Sequence, residues 1–255
     1  MYLIAFIIIF ITSLLFGMAG IGSATVVIPS LFLMGFPFQE SIAIGLTVNI
    51  IVSAAINFKI LKSGEINISK IFPLIIGALV APPLGVLVSH NIDKRVILWL
   101  FLIILLLGAY KSFSKALEKK SKTENFKRGR IHKLLPESLI FLLLGLSGGF
   151  LAGMLGIGGG SILLPIFVLL GLSAGEIVSI IAPLVFVSSF MGLIARIKIV
   201  KSFDWNLIIV AVFGAMTAGI LCNILREKVD KKRLRFLLGV LFLIVGIKVF
   251  FLLFK

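Results

Sequence analysis

The residues best suited to specific chemistry are two clusters of glycine followed by short polar side chains. Residues 17–29 read GMAGIGSATVVIP, and residues 153–165 read GMLGIGGGSILLP. Gly20, Gly22, Ser23 and Thr25 in the first copy, and Gly156, Gly158, Gly159, Gly160 and Ser161 in the second, lie inside long apolar runs. Glycine admits positive φ and lets a guest come close to the main chain. A helix that stops at such a cluster and restarts beyond it leaves its first N–H groups unpaired, at the positive end of its dipole. That end suits an anion, and consecutive glycine amides add a concave nest of donors. These nine residues are therefore candidates for binding a small anionic substrate. Asn49 is the tenth, because an amide inside the uncharged run 41–58 must find a partner, water or a guest.

Each motif also has a plainer reading. Gly156 and Gly160 form a GxxxG pair, which lets membrane helices pack closely. Asn49 serves equally as a polar link between helices, and Pro29 and Pro165 as kinks held by their neighbours. Lys59 and Arg196 end equivalent apolar segments, either reaching to the interface or drawing anions toward a vestibule.

The case for catalysis is weak. There is no HExxH, no GxSxG and no metal-ligand spacing of Cys and His, and Ser161 stands where GxGxxG needs its third glycine. The acids Glu40, Glu65, Asp93, Glu118, Glu124, Glu137, Glu176, Asp204, Glu227 and Asp230 fall in loops or at segment ends, as do His90 and His132. We expect no enzyme, no cofactor and no metal. Without a carboxylate in mid-membrane to carry protons or sodium, the membrane potential is the expected driving force for an anion.

The elements that carry these residues must be membrane helices. Uncharged runs cover 1–39, 41–58, 71–88, 96–110, 138–175, 177–195, 205–225 and 236–247, and about 20 helical residues cross a bilayer. The net charge of +15 would suggest nucleic acid in another setting, but here the basic residues sit in the loops, where they orient a membrane protein. We expect contact with lipid and none with nucleic acid. Cys222 is the only cysteine, so no intrachain disulfide is available. Residues 1–20 resemble a signal peptide in length. They lack a basic start and recur inside the chain at 138–157, so retention is expected.

The repetition extends past the glycines. At an offset of 136, Glu40 matches Glu176 and Ser53 matches Ser189; with one residue of drift, Lys59 falls on Arg196 and Gly77 on Gly214. We divide the chain into a first membrane repeat, 1–112, a basic linker, 113–135, and a second membrane repeat, 136–255. Such duplication is common in secondary transporters. Each half contains a piece of about a dozen apolar residues, too short to cross by itself. It either completes a broken first crossing, which gives parallel repeats, or turns back as a re-entrant hairpin, which gives inverted ones. The hairpin puts eighteen Lys/Arg (loops 59–70, 111–135 and 226–235) on one side against six on the other, whereas the broken crossing gives sixteen against eight. Positive-inside asymmetry thus favours inverted repeats, and either model puts loop 111–135 in the cytoplasm.

The paired pattern GMxGIG(S/G)(A/G)(T/S)xxxP, with Gly35-Phe-Pro after the first copy and Gly171-Leu-Ser after the second, resembles the sulfite exporter TauE/SafE family of membrane permeases. The resemblance extends over nearly the whole chain. It implies outward transport of sulfite, sulfonates or related sulfur-containing anions across the cell (inner) membrane, with the glycine segments carried over onto 17–29 and 153–165. Ser23 and Ala24 replace the second copy's Gly159 and Gly160, so the two copies need not hold substrate equally. The expected protein is an all-α polytopic permease with substrate between two glycine breaks near the midplane. The residues alone leave open a permease for another small ion or solute, a structural membrane protein, and association as a homodimer.

Overall fold

In the computed structural model, the described residues are 1–64, 68–117, 136–169, 174–197, 199–200, 203–225 and 228–253. They form helices without a strand. In chain order the helices are α1 (Tyr2–Ala19), α2 (Ala24–Leu33), α3 (Phe38–Ser63), α4 (Ile68–His90), α5 (Lys94–Leu117), α6 (Glu137–Leu155), α7 (Gly160–Leu169), α8 (Ala174–Ile197), α9 (Trp205–Leu225) and α10 (Lys231–Leu253). The order long, short, long, long, long thus occurs twice. Eight of the helices are long and apolar enough to cross a bilayer. Most of the basic linker expected at 113–135 lies outside the described residues.

Local chemistry sets the breaks. Gly20 (φ 73°) and Gly156 (φ 78°) adopt the left-handed conformation that ends α1 and α6, which a side chain would oppose. At the first break the Ile21 amide reaches back to the Phe16 carbonyl at 3.1 Å, closing the last turn. Because Gly156 lies in a turn and Gly160 starts the next helix, this pair does not form one GxxxG face.

After each break the chain returns along the helix it has just left. Ser23 Oγ lies 3.2 Å from Ser13 Oγ, although ten residues separate them. Phe36, beyond the end of α2, is back beside Tyr2 at the start of α1, with ring centroids 6.4 Å apart. In the second half, Phe167 near the end of α7 lies 6.2 Å from Phe141 near the start of α6. A continuing helix would rise about 15 Å over ten residues, so these contacts require reversal.

α3 and α8 form the centre, with 61% and 67% of their apolar spans buried against 33–44% for the other long helices. α4 runs along α6, and α9 along α1. The first of these contacts is the closer. Gly145, Gly149 and Gly153, spaced by four on α6, meet Leu74, Ala78 and Pro82, spaced by four on α4, at backbone distance. Outward-facing residues such as Leu3, Ile7, Phe72, Leu87, Phe213 and Phe251 are exposed and apolar, as lipid contact demands. This is a multi-pass membrane protein.

Hydrogen bonds identify the two ends of the bundle. At one, Tyr2 Oη donates to Asp204 Oδ2 (2.7 Å) and the Asp204 amide donates to Glu40 Oε1 (2.6 Å), joining the starts of α1, α3 and α9. At the other, Lys59 Nζ donates to the Asn223 carbonyl (2.9 Å), joining the ends of α3 and α9.

Candidate functional site

The two glycine breaks, 136 residues apart in sequence, come together inside the bundle. Thr25 Oγ1, in the first turn of α2, donates to Ser161 Oγ, in the first turn of α7, at 3.1 Å. Both helices therefore point their N-termini into a common region. Their first-turn amides have few acceptors: Val26 and Val27 share the Ser23 carbonyl, and Ile162 and Leu163 share the Gly159 carbonyl.

Asn49 on α3 stands between the breaks. Its Oδ1 accepts the Ala24 amide at 3.1 Å. Because an amide N–H can only donate, that contact identifies the oxygen and turns Nδ2 the other way. Nδ2 faces the second break, where a methyl group added to Gly158 would lie 2.6 Å from it. A methyl at Gly22 would lie 3.1 Å from Oδ1. Both glycines also have positive φ, 69° and 74°. Glycine is thus required at 22 and 158 twice over, by the turn and by the amide wedged between them.

Two further side chains complete the region. Ser188 Oγ donates to the Gly158 carbonyl at 3.0 Å. Ser189 Oγ approaches from α8, 2.9 Å from where a Gly158 methyl would stand. Asn49 and Ser189 are fully or almost fully buried, yet Asn49 Nδ2 and Ser189 Oγ have no hydrogen-bond partner among the described residues. A buried donor left unmade costs about 1–3 kcal/mol. Two of them facing one glycine make a site with spare capacity to bind.

The ten sequence candidates separate here. Gly22, Thr25, Asn49, Gly158 and Ser161 come together, whereas the Ser23 hydroxyl turns to Ser13 on α1. The others face elsewhere. Side-chain room at Gly20 is taken by Val178, at Gly156 by Ile42, at Gly159 by the Gly148 backbone, and at Gly160 by Val185 and Ile181. Neither the pair Ser188 and Ser189 nor Ser13 is among the sequence candidates. The offset of Ser189 from Ser53 was a usable signal for the former.

Arg196 also departs from expectation. It neither reaches to the interface nor opens to water: it is 0% exposed, the largest fully buried side chain among the described residues. Its guanidinium holds Gln39 Oε1 (2.6 Å), Ser89 Oγ (3.1 Å) and the Gly153 and Met154 carbonyls (2.7 and 3.0 Å). Glu40, expected at a segment end, is at the start of α3 but is 4% exposed.

The bundle thus holds two facing helix starts and buried uncharged donors among helices long enough to cross a membrane. The family model for sulfite exporter TauE/SafE proteins matches residues 5–249. The chain belongs to the TauE/SafE family. It is a membrane permease of the sulfite-exporter type, a transporter class rather than an enzyme class. No curated protein and no solved structure gives a significant match to this permease.

Proposed function

We propose that this TauE/SafE permease is a secondary transporter that exports sulfite, sulfonates or related sulfur-containing anions from the cell. The substrate binds between the two helix starts, to Asn49 Nδ2, Ser189 Oγ, the hydroxyls of Thr25 and Ser161, and main-chain amides of the breaks at Gly22–Ser23 and Gly158–Gly159. The observation that carries this reading is the pair of unpartnered buried donors beside Gly158. Neutral donors and helix dipoles bind an oxyanion without a fixed counter-charge and so also let it leave.

In this reading residues 1–112 and 136–255 are inverted repeats, each opening with a re-entrant hairpin. Several observations support that. Both short helices return toward the start of the preceding long one. Thr25 and Ser161 are repeat equivalents that touch each other, which happens only close to a two-fold axis. α3 packs on α8 and α5 on α10, each on its own equivalent, while α1 with α9 matches α6 with α4. Inverted halves put the heavily basic loops, including 111–135, on the cytoplasmic face of the inner membrane. These donors are buried in this conformation, so transport requires one part of the bundle to rock against another.

Outward movement of each negative charge gains about 2.3 kcal/mol per 100 mV, and the membrane potential supplies that drive. The test is efflux from proteoliposomes loaded with sulfite, with chloride and potassium as controls. Sulfite efflux should respond to an imposed potential, and Asn49→Ala and Ser189→Ala should each reduce it at least ~10-fold while the protein remains folded. Efflux of potassium alone, or none of sulfite, overturns the assignment. Flux that follows only a proton gradient overturns the coupling.

A further inference from the structure

We infer that Arg196 is a second anion subsite at one mouth of the pathway, and that its present bonds are a latch which an arriving anion opens. The inference rests on the transport reading above and extends it to an electrostatic gate. Arg196 joins four helices: its own α8, α3 through Gln39, α4 through Ser89, and α6 through the Gly153 and Met154 carbonyls. All four meet at the end of the bundle that carries Tyr2 and Asp204.

The bonding is that of a cation awaiting a counter-ion. Each acceptor of the guanidinium is neutral: one amide, one hydroxyl and two carbonyls. Its Nε is buried with no hydrogen-bond partner among the described residues. An arginine so enclosed is costly in a membrane unless paired. The C-terminal ends of α6 and α8 offset part of the charge, which explains how it is tolerated. Capping α6 occupies only Nη2, however, and leaves the Gln39 contact and the empty Nε without a reason. An oxyanion satisfies both, because a guanidinium binds a charged oxygen more strongly than a neutral one and can do so through two N–H groups.

Position links Arg196 to the candidate site. Ser189 and Arg196 are seven residues apart on α8, on one face and about 10 Å from each other along its axis. Between them stands Gly192, which is buried and in ordinary contact range of Leu46 and the Gly153 backbone, at 3.6–3.9 Å from where a methyl would stand. The face of α8 thus runs from an unpartnered hydroxyl, past a residue without a side chain, to a buried cation. An anion leaving Asn49 and Ser189 meets Arg196 next. Taking Arg196 from Gln39 and Ser89 releases α8 from α3 and α4 and opens that end.

Gln39→Glu tests this without removing the arginine. A carboxylate 2.6 Å from Nη1 would pair with Arg196 permanently, so we expect a melting temperature equal to or above wild type together with at least ~10-fold slower sulfite efflux and a raised KM. Arg196→Gln should likewise keep or raise the melting temperature while losing flux, and Arg196→Lys should restore part of it. Wild-type flux and KM in Gln39→Glu overturn the subsite. So does an Arg196→Gln variant that melts earlier but transports sulfite with unchanged KM, since that is the behaviour of a helix cap. Where Arg196→Gln fails to fold, Gln39→Glu still decides. Failure of wild-type protein to move any sulfur oxyanion defeats the transport reading itself, which is a separate outcome.

Discussion

The two long helices that lead into the glycine breaks carry the same motif but are held in different ways. α6 lies on α4 through backbone. A methyl group at Gly153 would stand 2.0 Å from the Pro82 carbonyl oxygen, and one at Gly145 would stand 2.2 Å from that of Leu74. α1 lies on α9 through side chains, with Gly214 facing Ile9 and Phe6 at 3.3 and 3.5 Å, and Gly17 facing Val52 and Cys222. Backbone cannot yield to added volume, whereas side chains can change rotamer. The break at Gly156 is also clamped by the Arg196 guanidinium, while the break at Gly20 is held by neutral groups, the Ser13–Ser23 hydroxyl pair and the Asn49 amide. The difference teaches that near-identical motifs need not move alike. The α6 unit is built as a fixed wall and the α1 unit as the part with freedom to shift.

The comparison breaks most visibly by adding bulk. Gly153→Val should prevent assembly of the bundle, costing over ~3 kcal/mol because two backbones must separate. At the α1–α9 contact, Gly214→Ala meets only side chains and should cost under ~1 kcal/mol. Thermal melting of detergent-solubilised protein measures both, and equal losses would erase the distinction between wall and moving part.

At the site itself, Gly158→Ala and Gly22→Ala carry similar left-handed strain of about 1–2 kcal/mol. Only the first also crowds both unpartnered donors. Sulfite efflux should therefore fall ~100-fold for Gly158→Ala and nearer ~10-fold for Gly22→Ala. The reverse order would move the binding region to the first break. A smaller effect is expected from Ser13→Ala with Ser23→Ala, about 1 kcal/mol of stability at most. Transport should persist, since the pair holds the first hairpin rather than the substrate.

The smallest effect lies at the end of the bundle that carries Tyr2. The Tyr2 hydroxyl holds the Asp204 carboxyl below its usual pKa, with help from the Leu207 and Asn206 amides against some desolvation. A depressed carboxylate contributes stability above its unfolded pKa and loses it as pH falls through the folded value. Melting temperature should thus decline slightly only below about pH 4. Tyr2→Phe should shrink that decline, because it brings the folded pKa of Asp204 back toward the unfolded one, and an unchanged acid profile would show that the contact contributes nothing.

Much of the architecture could be read from residue order. Uncharged runs anticipated every long helix, and the offset of 136 anticipated that the helix order repeats. The short piece of each half, α2 and α7 in the fold, was recognisable because a dozen apolar residues are too few to cross. The packing motif was harder. Gly156 and Gly160 have the spacing of a helix face but belong to a turn and a new helix, while Gly145, Gly149 and Gly153 make the close contact. Spacing alone does not tell which glycines share a helix, because positive φ at Gly156 is a property of the folded turn.

The sequence by itself determined that this chain lives in a membrane as paired sets of helices broken at glycine, because apolar length and the absence of charge leave no other stable arrangement for its backbone. It also determined where amides are freed, since the breaks are local. Only the tertiary structure decided that both breaks meet, that Asn49 stands between them, and that Arg196 is sealed among four helices. Those facts depend on contacts across as many as 157 residues, for which no local propensity exists. An arginine near a helix end looks the same in sequence whether it turns to water or inward, and packing against α3, α4 and α6 turned this one inward.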